Sequence, residues 1–190
     1  MTIRQVIIAP DPVLKTKSSP VKKVDDEIRA LVSDMFDTMY YERGIGLAAV
    51  QIGVLKRILV ADVEWKEDNN HKADIGEQHV LINPEIISDS GDEHNFKEGC
   101  LSFPEQFADV VRPSSVKVKY LDLDGNSQEK EFAGLLATCI QHEIDHLNGI
   151  TFVDHISKLK RDIINRRLVK LKKAGAFDPD HVHDEHCNHG

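Results

Sequence analysis

The stretch Gln141-His142-Glu143-Ile144-Asp145-His146 constrains this chain more than any other. It reads His-Glu-x-x-His. On a helix, residues four apart share a face, so His142 and His146 would present their rings one turn apart. Two imidazoles placed this way hold one divalent metal ion, with the Glu143 carboxyl beside them as a general base. The preceding run, Gly134-Leu135-Leu136-Ala137-Thr138-Cys139-Ile140, lacks proline and is mostly apolar, which predicts a buried helix carrying the pair. The competing reading is two surface histidines on an ordinary helix.

The chain has 190 residues, enough for one domain with a sizeable core. Hydrophobic residues make up 41% and charged residues 29%, as in ordinary globular proteins. A net charge of −8 argues against DNA binding by bulk electrostatics. No apolar run is long enough to span a membrane, and the N-terminus lacks the apolar segment of a secretory signal. The expectation is a cytoplasmic protein with no membrane partner. Cys100, Cys139 and Cys187 are an odd number at unrelated spacings, which suits a thiolate ligand or buried thiols better than a disulfide framework.

Residues 3–23 read as irregular, with turn signals at Asp11-Pro12 and Ser19-Pro20. Residues 25–40 read as the clearest helix: Ile28, Leu31, Val32, Met35, Phe36 and Met39 share one face, and Asp25, Asp26 and Glu27 sit at its positive end. Glycines in Gly44-Ile45-Gly46 permit close backbone approach. Lys56–Asp62 and Val80–Ile82 read as strands, the second bounded by Asn83-Pro84. Between them, 64–78 reads as an exposed polar loop, and 88–95 as a polar turn region. Residues 115–122 alternate cleanly, and Asp124-Gly125 predicts a hairpin into 128–132. A second amphipathic helix is predicted over 154–173, with Ile156, Leu159, Ile163, Leu168 and Leu171 on its apolar side. Its segment 158–173 carries eight basic residues against Asp162 alone, in an otherwise acidic chain. The polar, histidine-rich end, 177–190, reads as a disordered tail.

Two histidines do not complete a catalytic metal site, which usually has three protein ligands and one open position. The residues after His146 lack the third histidine of the extended protease motif. Asp154 and His155 are candidates beyond the helix break expected at Asn148-Gly149. Upstream, Cys100 in Glu98-Gly99-Cys100-Leu101-Ser102 is a third candidate, in a region that reads as turn-like.

Three stretches taken together resemble the peptide deformylase family: Gly44-Ile45-Gly46-Leu47-Ala48-Ala49-Val50-Gln51, Glu98-Gly99-Cys100-Leu101-Ser102, and Gln141-His142-Glu143-Ile144-Asp145-His146. The resemblance covers roughly residues 3–172. It implies an α+β fold with mixed, mostly antiparallel sheets around a central metal-binding helix, plus N-terminal and C-terminal helices. A single catalytic domain would occupy 1–176, followed by the tail.

The resemblance also implies residue roles. Cys100, His142 and His146 would ligate the metal, Glu143 would be the general base, and the Gln51 amide and Leu101 N–H would stabilise an oxyanion. Ile45, Phe96, Leu135, Thr138, Cys139 and His142 would line a methionine pocket, while backbone of Ile45, Gly46 and Gly99 would hold the peptide. Thr138 and Phe107 depart from the aliphatic and basic residues expected there. Glu98 and Arg112 would form a supporting ion pair. The implied reaction is removal of formyl from N-formylmethionyl nascent peptides by a monomer. The implied cofactor is one divalent metal, iron(II) favoured, with zinc, nickel or cobalt as replacements. The basic helix suggests contact with ribosomal RNA. Competing readings are a zinc endopeptidase and a metal-buffering protein using the tail.

Overall fold

The computed structural model describes residues 2–67 and 73–176. The expected tail, 177–190, lies outside the described residues. The elements are α1 (Asp26–Tyr41), β1 (Gly46–Ala48), β2 (Ile58–Ala61), β3 (Lys66–Glu67), β4 (Ala73–Asp74), β5 (His79–Asp89), β6 (Glu93–Cys100), β7 (Phe103–Pro113), β8 (Ser115–Leu121), β9 (Ser127–Ala133), α2 (Gly134–Leu147) and α3 (Lys158–Lys173). This is the α+β arrangement of antiparallel sheets and three helices that the resemblance implies.

Five strands form one antiparallel sheet in the order β1-β2-β5-β8-β9, and β6 pairs with β7 as a separate hairpin. Alternation along the strands divides the large sheet between two cores. Ile58, Val60 and Ile82 join Ile28, Leu31, Val32, Met35, Phe36 and Met39 of α1. Leu59, Leu81, Val116 and Val118 join Ala137, Ile140, Ile144 and Leu147 of α2. Helices therefore cover the sheet from both sides. Each fully buried aliphatic side chain contributes about 1.5–3 kcal/mol relative to exposure. Helix α1 starts where its sequence predicts: the Asp25 carboxylate caps it by accepting the Ile28 N–H at 3.1 Å. A third cluster joins the hairpin to α3 through Phe103, Val110, Phe152, Val153, Ile164 and Leu168.

Several boundaries differ from expectation. Strand β5 does not stop at Pro84 but runs on to Asp89, and its register with β8 shifts between Ile82 and Glu85. Asn83 there has a φ of 53°, and its side chain bonds Val21 at both backbone atoms, 2.8 Å each. A bulge accommodates the missing N–H of Pro84. The 88–95 region is mostly strand, with a turn only at 90–92 between β5 and β6. The loop at 64–78 contains the short β3–β4 pairing. Helix α3 begins at Lys158, capped by Ser157, because Phe152–His155 form a separate 3₁₀ turn. Its packed side is Ile164 and Leu168, while Leu159 and Ile163 face solvent at 69% and 56% exposure.

Candidate metal centre

Helix α2 carries His142, Glu143 and His146 into the interior, where all three are buried. Cys100 closes β6. Its pairing with Phe103 comes after a register shift at Gly99, so Leu101 and Ser102 form the tight turn between β6 and β7. The turn aims the Cys100 sulfur at the helix. Cys100 Sγ lies 3.2 Å from His146 Nε2, and the ligand atoms of Cys100, His142 and His146 all fall within 4.8 Å of one another. This is the one such group among the described residues. The other candidates are engaged elsewhere. His155 Nε2 meets Asp145 at 2.7 Å, and Asp154 accepts from Lys15 and from the Thr151 N–H at 2.8 Å.

Glu98 sets the orientation of one ring. Its Oε2 lies 2.8 Å from His142 Nδ1, and Arg112 holds the same carboxylate through Nε at 2.5 Å and a second nitrogen at 3.1 Å. Arg112 also donates to Asp145 at 2.8 Å. Burial raises the Glu98 pKa, but the bonds from His142 and Arg112 outweigh it and bring the carboxyl down to about 2. An ionised carboxylate only accepts hydrogen bonds, so His142 Nδ1 carries the hydrogen and Nε2 is left for a metal. Burial lowers the His142 pKa, yet Cys100 and Glu98 together hold it well above the ordinary histidine value. Metal binding at Nε2 must therefore displace a proton from His142.

The Glu143 carboxyl is raised to about 7, chiefly by burial and also by Glu98. Its Oε2 has no hydrogen-bond partner. Gln51, 1% exposed, accepts the Ala48 N–H at 2.8 Å on its Oε1, which turns its Nε2 toward Cys100 Sγ at 3.5 Å and Ser102 Oγ at 3.2 Å. Strand β1 crosses over α2 so closely that a Cβ at Gly46 would sit 2.5 Å from Cys139 Sγ and 2.7 Å from Glu143 Oε1. Cys139 Sγ donates to the Ile45 carbonyl at 3.4 Å, and burial pushes its thiol well above the ordinary value, so it stays protonated and out of the donor set.

His94 was not legible as a site residue. Its Nε2 lies 2.9 Å from Thr138 Oγ1 and its ring meets Phe96 edge-on at 4.4 Å. Leu135 is 44% exposed at the start of α2. Phe107 is 58% exposed, and its ring lies where a Gly99 side chain would go.

A thiol and two imidazoles converge at one site, one ring is oriented by a carboxylate, and a carboxyl with one unpartnered oxygen lies alongside. That donor set fits one divalent ion of the zinc or iron(II) kind. Fold and site together define a metal-dependent hydrolase. The polypeptide deformylase family profile matches residues 3–162. The chain is 51% identical over 174 residues to the peptide deformylase of Rhizorhabdus wittichii, covering 92% of this chain and 98% of that one. It is 53% identical over 176 residues to that of Mesorhizobium japonicum, covering 93% and 97%. The crystal structure of peptide deformylase from Ehrlichia chaffeensis superposes with a TM-score of 0.84 at 43% identity, covering 92% of this chain and 99% of that one. The chain belongs to the polypeptide deformylase family.

Proposed function

We propose that this enzyme hydrolyses the formyl group from N-formylmethionyl peptides, with Cys100, His142 and His146 holding one divalent metal ion. The observation that carries the reading is the convergence of those three donors beside Glu143, whose buried Oε2 has no hydrogen-bond partner. When bound, the ion lowers the pKa of water and polarises a carbonyl oxygen. Glu143 accepts a proton from the attacking water and passes it to the departing amine nitrogen as the carbon–nitrogen bond breaks. Formate and a free N-terminus result. The Gln51 amide and the Leu101 N–H donate to the oxyanion, each such donor supplying about 2.7–4 kcal/mol in the transition state.

Ile45, Phe96, Leu135, Thr138, Cys139 and His142 line the methionine pocket in this reading. Backbone groups of Ile45, Gly46 and Gly99 hold the peptide main chain. Among the described residues strand β1 is the terminal strand of the large sheet, and in this reading the peptide adds to its outer edge. Iron(II) is the favoured metal in the cell, and the donor set also suits zinc, nickel and cobalt.

The protein is read as a monomer working in the cytoplasm on chains leaving the ribosome. Among the described residues no helix is long and apolar enough to cross a membrane. Arg166, Arg167, Lys170, Lys172 and Lys173 are exposed on α3, a face suited to ribosomal RNA by salt-sensitive contacts. The reading is tested by formate release from formyl-Met-Ala-Ser. Release that depends on added metal and is lost in Glu143→Gln supports it, whereas casein cleavage without formate release overturns it.

A further inference from the structure

The polar segment after β2 is tied down beside the strand that the proposed function uses. Asp62, fully buried, accepts the N–H groups of Glu64 and Trp65 on Oδ1 at 3.1 and 3.0 Å. On Oδ2 it accepts the Tyr40 hydroxyl at 2.8 Å and the Gly76 N–H at 2.9 Å. One carboxylate thus gathers both ends of the segment onto α1. From this base Trp65 lies edge-on to Tyr40, ring centroids 5.3 Å apart, and its indole N–H donates to the Gly44 carbonyl at 2.7 Å. The next carbonyl, Ile45, accepts the Asp62 N–H at 3.0 Å. Arg43, at a φ of 58°, meets Glu67 at 3.1 Å. The chain entering β1 is therefore held by donors from 62 and 65.

We propose that Trp65 is a positioning residue for peptide substrates. By holding the Gly44 carbonyl, its indole N–H fixes the direction in which the Ile45–Gly46 edge meets the incoming main chain. The proposal rests on the reading that the peptide adds to the outer edge of β1. Glycine at 44 and 46 leaves this edge conformationally loose on its own. A brace made before binding spares the complex the cost of ordering it, so losing the brace weakens peptide binding and leaves the chemical step alone. The effect should grow with the length of main chain that pairs with β1.

Trp65→Phe keeps the ring against Tyr40 and removes the N–H. The expected result is a KM for formyl-Met-Ala-Ser raised about three- to tenfold, the scale of one neutral hydrogen bond. The kcat should stay within about twofold, and the KM for N-formylmethionine alone should not move. An unchanged tripeptide KM overturns the proposal, and so does an equal loss of kcat on both substrates. If wild-type KM values for the two substrates are the same, the strand-addition reading fails and takes the proposal with it. A wild-type difference that survives intact in Trp65→Phe defeats the proposal alone. The unaltered enzyme gives a second measurement, because Trp65 is the single tryptophan. The brace is made before binding, so Trp65 emission should resist acrylamide quenching in the ligand-free enzyme and stay protected when Met-Ala-Ser binds; emission quenched in the free enzyme as readily as an exposed indole overturns the proposal.

Discussion

Glu98 Oε2 lies 2.8 Å from His142 Nδ1, while Arg112 grips the same buried carboxylate. Burial alone would raise this carboxyl, but His142 and Arg112 bring it down from 4.5 to about 2. A depressed folded pKa contributes stability that is present above pH 4.5 and is lost as pH falls through 2. Glu98→Gln should therefore flatten the acid limb of stability in that window, read as the difference between variant and wild type by circular dichroism. It should also cost about 3–5 kcal/mol at neutral pH by leaving Arg112 partly unpaired. Metal affinity should fall about 10- to 100-fold in a chelator competition, since the His142 ring loses its anchor.

Gly46 and Gly99 look alike in sequence and should respond differently. A methyl at Gly46 meets Cys139 Sγ at 2.5 Å and Glu143 Oε1 at 2.7 Å, both buried. Gly46→Ala should displace the Glu143 carboxylate and lower formate release about a hundredfold or more, with metal content unchanged. At Gly99 the obstacle is the Phe107 ring at 2.6 Å, and that ring is 58% exposed and free to swing. Gly99→Ala should change stability by less than about 1 kcal/mol in a denaturant titration.

Burial, with Asp62 adding to it against a bond from Gln78, pushes the Tyr40 hydroxyl from 10.0 to about 12. A raised folded pKa contributes stability that is complete below pH 10 and lost as pH climbs through 12. Urea titrations at rising alkaline pH should show wild type losing stability faster than Tyr40→Phe across that interval. Burial raises Tyr120 as well, so tyrosinate absorbance should show the Tyr40 group titrating at about 12 in wild type and missing from the variant.

Much of this is legible in the sequence. The α1 stripe, the β8–β9 hairpin at Asp124-Gly125 and the helical His pair all follow from local periodicity and turn chemistry. Hairpin β6–β7 did not, because two of its buried residues are Glu98 and Arg112, charges that satisfy each other across strands and give no apolar pattern. The bond between His94 and Thr138 and that between Trp65 and Gly44 join residues distant in sequence, so no local signal marked them. Helix α3 starts later than its periodicity predicts because Thr151–Asp154 capping closes a separate 3₁₀ turn first.

Thiolate ligation should make the metal's identity matter for endurance. The iron-loaded enzyme should lose formate-releasing activity in air faster than the nickel-loaded enzyme, since iron(II) beside a thiolate is open to oxidation. Residual activity after matched exposure checks this.

The account rests on Cys100 as the third ligand, 3.2 Å from His146 Nε2. Cobalt substitution reads that bond directly, through sulfur-to-cobalt charge-transfer absorption in the near ultraviolet. The account predicts about one cobalt ion per chain with that band present, and loss of the band in Cys100→Ser. A Cys100→Ser protein that keeps both the band and full cobalt content would contradict it.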